Sequence, residues 1–140
     1  TGRGRRRASL SCPRVKLLLD THAVIWWLAR PEALSRAALE AIGDKSSIVL
    51  VSAASAYEIE IKRHRDATLA AIPEALYDAV VATGFTWLPI GARHASAAAQ
   101  LPLHHRDPWD RILVQQAKDE HARLVPCDRD LAAYDVPILW

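Results

Sequence analysis

Two short runs constrain this chain most: residues 15–19 (VKLLL) and 48–51 (IVLV). Neither alternates apolar with polar residues. A strand of this kind has no face to give to water and needs cover on both sides, which is the condition of a parallel sheet between helices. Shorter runs at 85–88 (FTWL) and 123–125 (RLV) extend the pattern, and 137–140 is expected to add an edge strand. The segments between them have helical period. Residues 21–29 are stopped by Pro31, 34–42 close at Gly43, and 54–63 follow the second run. Residues 73–83 open on Pro73 and close at Gly84, 93–100 are Ala-rich, and 108–121 form the longest helical segment. Strands alternating with helices predict an α/β fold, with a central, mainly parallel sheet covered by helices on both faces as a three-layer α-β-α sandwich.

The 140 residues suit one domain with one real core. No apolar run approaches the roughly 18 residues of a membrane span, so no membrane partner is expected. Arg5-Arg6-Arg7 is not followed by the apolar stretch of a signal peptide, and the chain reads as cytoplasmic. Cys12 and Cys127 are too few for a disulfide framework or a zinc site. Residues 1–16 hold six of the 18 Lys and Arg and none of the 16 Asp and Glu, so the remainder is net acidic. Residues 1–15 are therefore expected to be a basic, disordered tail or an extension, and 16–140 the folded domain.

Four acids stand out by position: Asp20, Glu58, Asp110 and Asp128. Asp20 directly follows the first run, Asp128 lies three residues after Val125, and Glu58 is early in the helix after the second run. In an open parallel sheet these three share the rim beyond the carboxyl ends of the strands, where ligands bind. Asp110 falls on the helical stripe of Leu113, Val114 and Ala117, where an acid is costly unless paired or bound to a cation. Carboxylates gathered at one rim make a hard oxygen site suited to Mg²⁺, with Mn²⁺ also acceptable, and so to phosphodiester hydrolysis.

Each acid also has a purely structural reading. Ser55 to Glu58 fits a capping box. Asp107-Pro108 fits a helix start, with Asp110 then favoured by the helix dipole. Asp20 could cap the helix at 21, and Asp128 a short helix at 131–134. All four structural readings holding together, with the acids on one rim by accident, is a poorer account than a shared site.

The stretches carrying these acids resemble those of PIN-domain nucleases, and most closely the VapC toxins of bacterial toxin–antitoxin pairs. They are Leu18-Leu-Asp-Thr-His22 with Trp26-Trp27-Leu28, and Val51 to Ile59 (VSAASAYEI) with Lys62. Further on come Gly84-Phe85, Leu88-Pro89-Ile90, His94-Ala95, Leu101-Pro102, His105 to Ala117 (HRDPWDRILVQQA), Leu124 to Asp128 (LVPCD), Tyr134-Asp-Val136 and Leu139-Trp140. Order and spacing carry the resemblance over nearly everything but the basic tail.

The resemblance implies a PIN-like sandwich and a metal-dependent endoribonuclease, often dimeric and neutralised by a small antitoxin. It places the catalytic and metal-binding quartet on Asp20, Glu58, Asp110 and Asp128, with Asp20 and Asp110 as principal ligands. It also puts a small hydroxyl, Thr21, near the metal. Pro126 departs from the Ser or Thr common two residues before the last acid.

Lys62, within Lys62-Arg-His-Arg65, is a candidate for RNA phosphates, as are Arg106 and Arg111 on either side of Asp110. His22, beside the first acid, is a candidate substrate contact, and His104 and His105 suit a loop. Trp26 and Trp27 could not both face one core, which leaves one of them for a partner such as an antitoxin helix. The competing function is a noncatalytic RNA-binding or protein-docking module. A phosphatase is disfavoured because Asp20-Thr-His lacks a D-x-D pair, and the lack of a Gly-rich phosphate loop disfavours use of a nucleoside triphosphate.

Overall fold

The computed structural model describes residues 14–102, 107–125 and 137–139. Its four strands are β1 (Lys16–Leu19), β2 (Ile48–Ser52), β3 (Thr86–Leu88) and β4 (Arg123–Val125). They form one wholly parallel sheet in the order β3-β2-β1-β4. The expected edge strand at 137–140 is reduced to a bridge of Ile138 with Leu124, held by Leu124 N–H to Pro137 O and Leu139 N–H to Leu124 O, both 2.9 Å. Trp140, the tail at 1–13 and the segment proposed as a short helix at 131–134 lie outside the described residues.

Six α-helices occur among the described residues: α1 (Thr21–Ala29), α2 (Arg36–Gly43), α3 (Ala53–Arg63), α4 (Leu76–Ala82), α5 (Ala92–Ala99) and α6 (Pro108–Glu120). Four of these, α1, α2, α3 and α6, start on a capping side chain. Ser35 Oγ accepts from Ala38 N–H at 3.1 Å, Ser52 Oγ from Ala54 N–H at 3.1 Å, and Asp107 Oδ1 from Trp109 N–H at 2.9 Å. Two 3-10 turns, Pro31–Ala33 and Ala67–Ala71, stand where no element was expected. The helix expected from Pro73 begins only at Leu76. It ends where expected, at Gly84, whose φ of 94° suits a residue without a side chain.

Strands β1, β2 and β4 are buried on both faces over most of their length, while β3 at the edge is more open, and their period of two divides the core. Leu17, Leu19, Val49, Val51 and Val125 point into a larger cluster with Val24, Ile25, Ala38, Ile59 and Val80 from α1 to α4. Leu18, Leu50 and Leu124 point the other way, against Leu113, Val114 and Ala117 of α6. Helix α5 packs on α6. The result is the expected three-layer α-β-α sandwich. Trp26 and Trp27 both pack against the larger cluster, Trp27 with its ring 5.9 Å from that of Phe85. The expectation that they could not share a core fails because α1 is wedged among the sheet, α3 and both 3-10 turns, so apolar neighbours surround a wide arc of it.

The strand order sets the functional end of the sheet. From β1 the chain winds outward through β2 to β3, then returns to place β4 on the other side of β1. The winding direction reverses between β1 and β4. In open α/β sheets that reversal opens a crevice at the carboxyl ends of the strands.

Candidate active site

Asp20 is the first residue beyond β1, at this crevice, and only 3% exposed. Its N–H continues the sheet by donating to Val125 O at 3.0 Å, and its Oδ1 accepts from Thr21 N–H at 2.7 Å. The structural and functional readings of Asp20 are thus compatible, since capping α1 engages Oδ1. Its other oxygen, Oδ2, lies 3.6 Å from Nδ1 of the half-exposed His22.

Glu58 reaches the same place from α3. Ser55, Glu58 and Lys62 occupy one stripe of that helix, at steps of three and four residues. Thr21 Oγ1 donates to Glu58 Oε1 at 2.7 Å and lies 3.0 Å from Ser55 Oγ. Thr21 has a single hydroxyl proton, so with that proton on Glu58 the Ser55 hydroxyl is the donor to Thr21. The chain Ser55→Thr21→Glu58 is therefore directional, and Thr21 and Ser55 are both fully buried.

This overturns the capping-box reading of Ser55 and Glu58. Ser52 takes the cap, which leaves Ser55 one turn inside the helix. The role of Ser55 was missed from sequence, although its place on the Glu58 stripe was a usable signal.

Burial raises the Glu58 pKa above its ordinary value. The Thr21 hydrogen bond and the Lys62 charge oppose that rise, while the Asp107 and Asp20 charges add to it. Glu58 thus feels two carboxylates, Asp107 and Asp20, and one nearby cation, Lys62, besides its burial.

Helix α6 carries the third described acid of the quartet. Asp107 caps the helix, as its sequence predicted, and its charge is felt at Glu58. Asp110 is half-buried in the first turn, one turn ahead of buried Leu113 and Val114. That turn meets α3 through Trp109, whose ring lies 5.3 Å from that of Tyr57, the neighbour of Glu58. Among the described residues, no three His, Cys, Asp or Glu side chains close into a metal-binding group. Asp128, Arg106, Pro126, Cys127 and the His104-His105 pair lie outside the described residues.

The two described basic candidates differ. Lys62 lies a turn beyond Glu58 and adjoins a cleft with His22 and Trp26. Arg111 is buried, and its guanidinium donates to the carbonyls at the end of α5. Nη1 reaches Pro102 O at 2.9 Å, and Nη2 reaches Ala98 O, Ala99 O and Leu101 O at 3.0, 3.3 and 2.7 Å. This geometry braces α5 against α6 instead of offering the cation to a phosphate, because unpaired carbonyls at a helix end attract a planar cation.

A larger apolar cleft of about 570 Å³, with Ala53, Ala56, Tyr77 and Trp87 on its walls, lies on the opposite face of α3 from Glu58. It is separate from the acid site.

The PIN-domain family model matches residues 17–137. The chain belongs to the PIN-domain family. Within it, the chain is 32% identical over 122 residues to Ribonuclease VapC22 of Mycobacterium tuberculosis, covering 86% of this chain and 93% of that protein. This places it among the VapC-type PIN proteins. Its fold also matches a chain in the crystal structure of VapBC2 from Rickettsia felis bound to a DNA fragment from their promoter. The TM-score is 0.65 at 13% identity, over 90% of this chain and 98% of the other.

Proposed function

We propose that this VapC-type PIN protein is the endoribonuclease toxin of a toxin–antitoxin pair. It hydrolyses RNA phosphodiester bonds with a divalent cation, Mg²⁺ or Mn²⁺. The observation that carries the reading is the convergence of Asp20 and Glu58 at the reversal of strand order, with Glu58 held by a buried hydroxyl chain. The kinship with a ribonuclease of the same length class supports it.

The donor set fits a hard cation, because its oxygens come from carboxylates and the carboxylates Asp20 and Asp107 act on Glu58. Asp20, Glu58, Asp110 and Asp128 would hold the ion. When bound, such an ion supplies activation of water and stabilisation of the leaving oxygen. The residues of the chain do the rest. Thr21 orients Glu58, and buried Ser55 fixes the direction in which Thr21 donates. Lys62 and Arg106 are the proposed contacts to RNA phosphates. Arg111 serves the site by holding α6, and with it Asp110, against α5.

The proposed partners are RNA, a small cognate antitoxin and a second copy of the chain, in the cytoplasm. No helix among the described residues is long and apolar enough to cross a membrane. The deciding experiment expresses the wild type beside Asp20→Asn without antitoxin. Growth arrest and cleavage of cellular RNA are expected from the wild type alone. Arrest by both proteins, or by neither, would remove the toxin reading. Binding of RNA without cleavage in Mg²⁺ or Mn²⁺ would favour the noncatalytic module.

A further inference from the structure

Between α1, α3 and the 3-10 turn Ala67–Ala71 lies a cleft of about 150 Å³ whose walls include His22, Trp26, Arg30, Lys62, Asp66 and Thr68. It is well below the roughly 300–1,000 Å³ of clefts that enclose a drug-sized molecule, and suits one flat ring system. One wall is aromatic. His22 and Trp26 are a helical turn apart, with ring centroids 6.3 Å apart and planes tilted by 58°. The 3-10 turn adds a polar group to the lining, where Asp66 Oδ1 accepts from Thr68 N–H at 2.9 Å and from Thr68 Oγ1 at 2.6 Å. Two cations, Arg30 and Lys62, border it. The cleft adjoins the acid site on two sides. His22 Nδ1 is 3.6 Å from Asp20 Oδ2, and Lys62 shares the α3 stripe of Glu58.

We propose that this cleft receives one unstacked nucleobase of single-stranded RNA, next to the phosphate presented to the acids, with Trp26 as the stacking surface and Lys62 on the adjoining phosphate. This rests on the ribonuclease reading and adds to it the form of the substrate. Single-stranded RNA offers splayed bases that stack on aromatic side chains, whereas a duplex keeps its bases inside. Ile25, Ala29 and Leu69 also line the cleft, and the aromatic, polar and cationic groups together fit a nucleotide, whereas an apolar peptide side chain would leave Asp66, Arg30 and Lys62 unused.

The test separates base from backbone. Binding of a short, mixed-sequence single-stranded RNA is measured in EDTA, so that no cleavage is needed, and compared with a series of the same RNA carrying one abasic nucleotide at each position in turn. For the wild type, one abasic position should weaken binding about 5- to 150-fold, the range of a single base–aromatic stack. In Trp26→Ala that position should no longer matter, and Trp26→Phe should restore part of the discrimination.

Trp26 also packs against the core, so a second variant covers a loss of folding. Lys62→Ala should lower the slope of log affinity against log salt by about 0.7, the share of one phosphate contact on a single strand. The proposal is overturned if no abasic position matters, if Trp26→Ala weakens every RNA by the same factor, if Lys62→Ala leaves the slope unchanged, or if the wild type binds no single-stranded RNA. Base discrimination without cleavage in Mg²⁺ or Mn²⁺ would instead sink the ribonuclease reading and leave the cleft standing.

Discussion

The two described sides of the acid site are held by different physics. On one side, Asp20, Thr21, Ser55 and Glu58 sit on helices that start directly after central strands, and short buried hydrogen bonds join them to one another. On the other, Asp110 sits in the first turn of α6, and the neighbouring buried cation, Arg111, holds the end of α5. The first side has its polar groups satisfied inside the site. The second is tied to the neighbouring helix through the Arg111 brace. Damage to the first should appear in the chemistry before stability, and damage to the second in stability before chemistry.

The largest stability effect expected is that of Arg111→Ala. The buried guanidinium donates to four carbonyls, of which Ala98 O also accepts from Leu101 N–H, and its removal takes a charged donor from each. Charged hydrogen bonds of this kind each contribute about 1.5–3 kcal/mol, and their losses overlap, so a destabilisation of roughly 2–4 kcal/mol is expected. Urea titration reads this directly. Arg111→Lys should recover only part of it, because an ammonium cannot span the same fan of acceptors. Activity per folded molecule should change less than stability. A stable Arg111→Ala protein that has lost RNA binding would mean that the cation serves the substrate after all.

Thr21→Val reverses that order. It keeps the shape of the side chain and removes both the donor to Glu58 and the acceptor for Ser55. Outer-shell groups that orient metal ligands typically carry 10–100-fold in metal affinity or activity, and that range is expected here. The stability change should be about 1–2 kcal/mol, the penalty for leaving Ser55 and Glu58 short of a partner. Ser55→Ala should act in the same direction but more weakly, since Thr21 can still donate to Glu58. Mn²⁺ titration by calorimetry, beside cleavage assays, separates metal affinity from turnover. Equal activity in Thr21→Val and the wild type would show that the hydroxyl chain is only packing.

The same contrast explains what the sequence disclosed. The sheet was legible because unbroken apolar runs admit few environments, and Asp20 was legible because it ends one of them. Helix ends at Gly84 and Asp107 were legible because their signals are local. Ser55 was misread because a serine three residues before a glutamate looks the same as a cap or as a buried relay. Only the end of β2, which gives the cap to Ser52, decides between them. Arg111 could not be read at all, since the carbonyls it binds gather around it only when α5 docks on α6. The pairing of Trp26 and Trp27 with one cluster was misjudged because a helix wheel shows directions but not how far the surroundings wrap. The 3-10 turns are set by the packing of their neighbours and left no periodic trace.

The smallest effect sharpens the electrostatic side of the comparison. Burial and the neighbouring Asp107 and Asp20 raise the Glu58 pKa above its ordinary 4.5. An acid with a raised folded pKa binds its proton more tightly folded than unfolded. Its ionisation therefore begins to oppose folding as pH rises past the unfolded value, and the penalty is complete above the folded value. In metal-free buffer, Glu58→Gln should leave the melting temperature nearly unchanged at about pH 4 and raise it at about pH 7.5. The amide oxygen can still accept from Thr21, so the hydroxyl chain is kept and the charge alone is tested. Adding Mg²⁺ or Mn²⁺ should then raise the melting temperature of the wild type more than that of the variant, because the charge that opposes folding is the one proposed to bind the ion. If Glu58→Gln is less stable at both pH values, the Thr21 bond to a charged carboxylate outweighs its desolvation, and the site is preorganised without help from a cation.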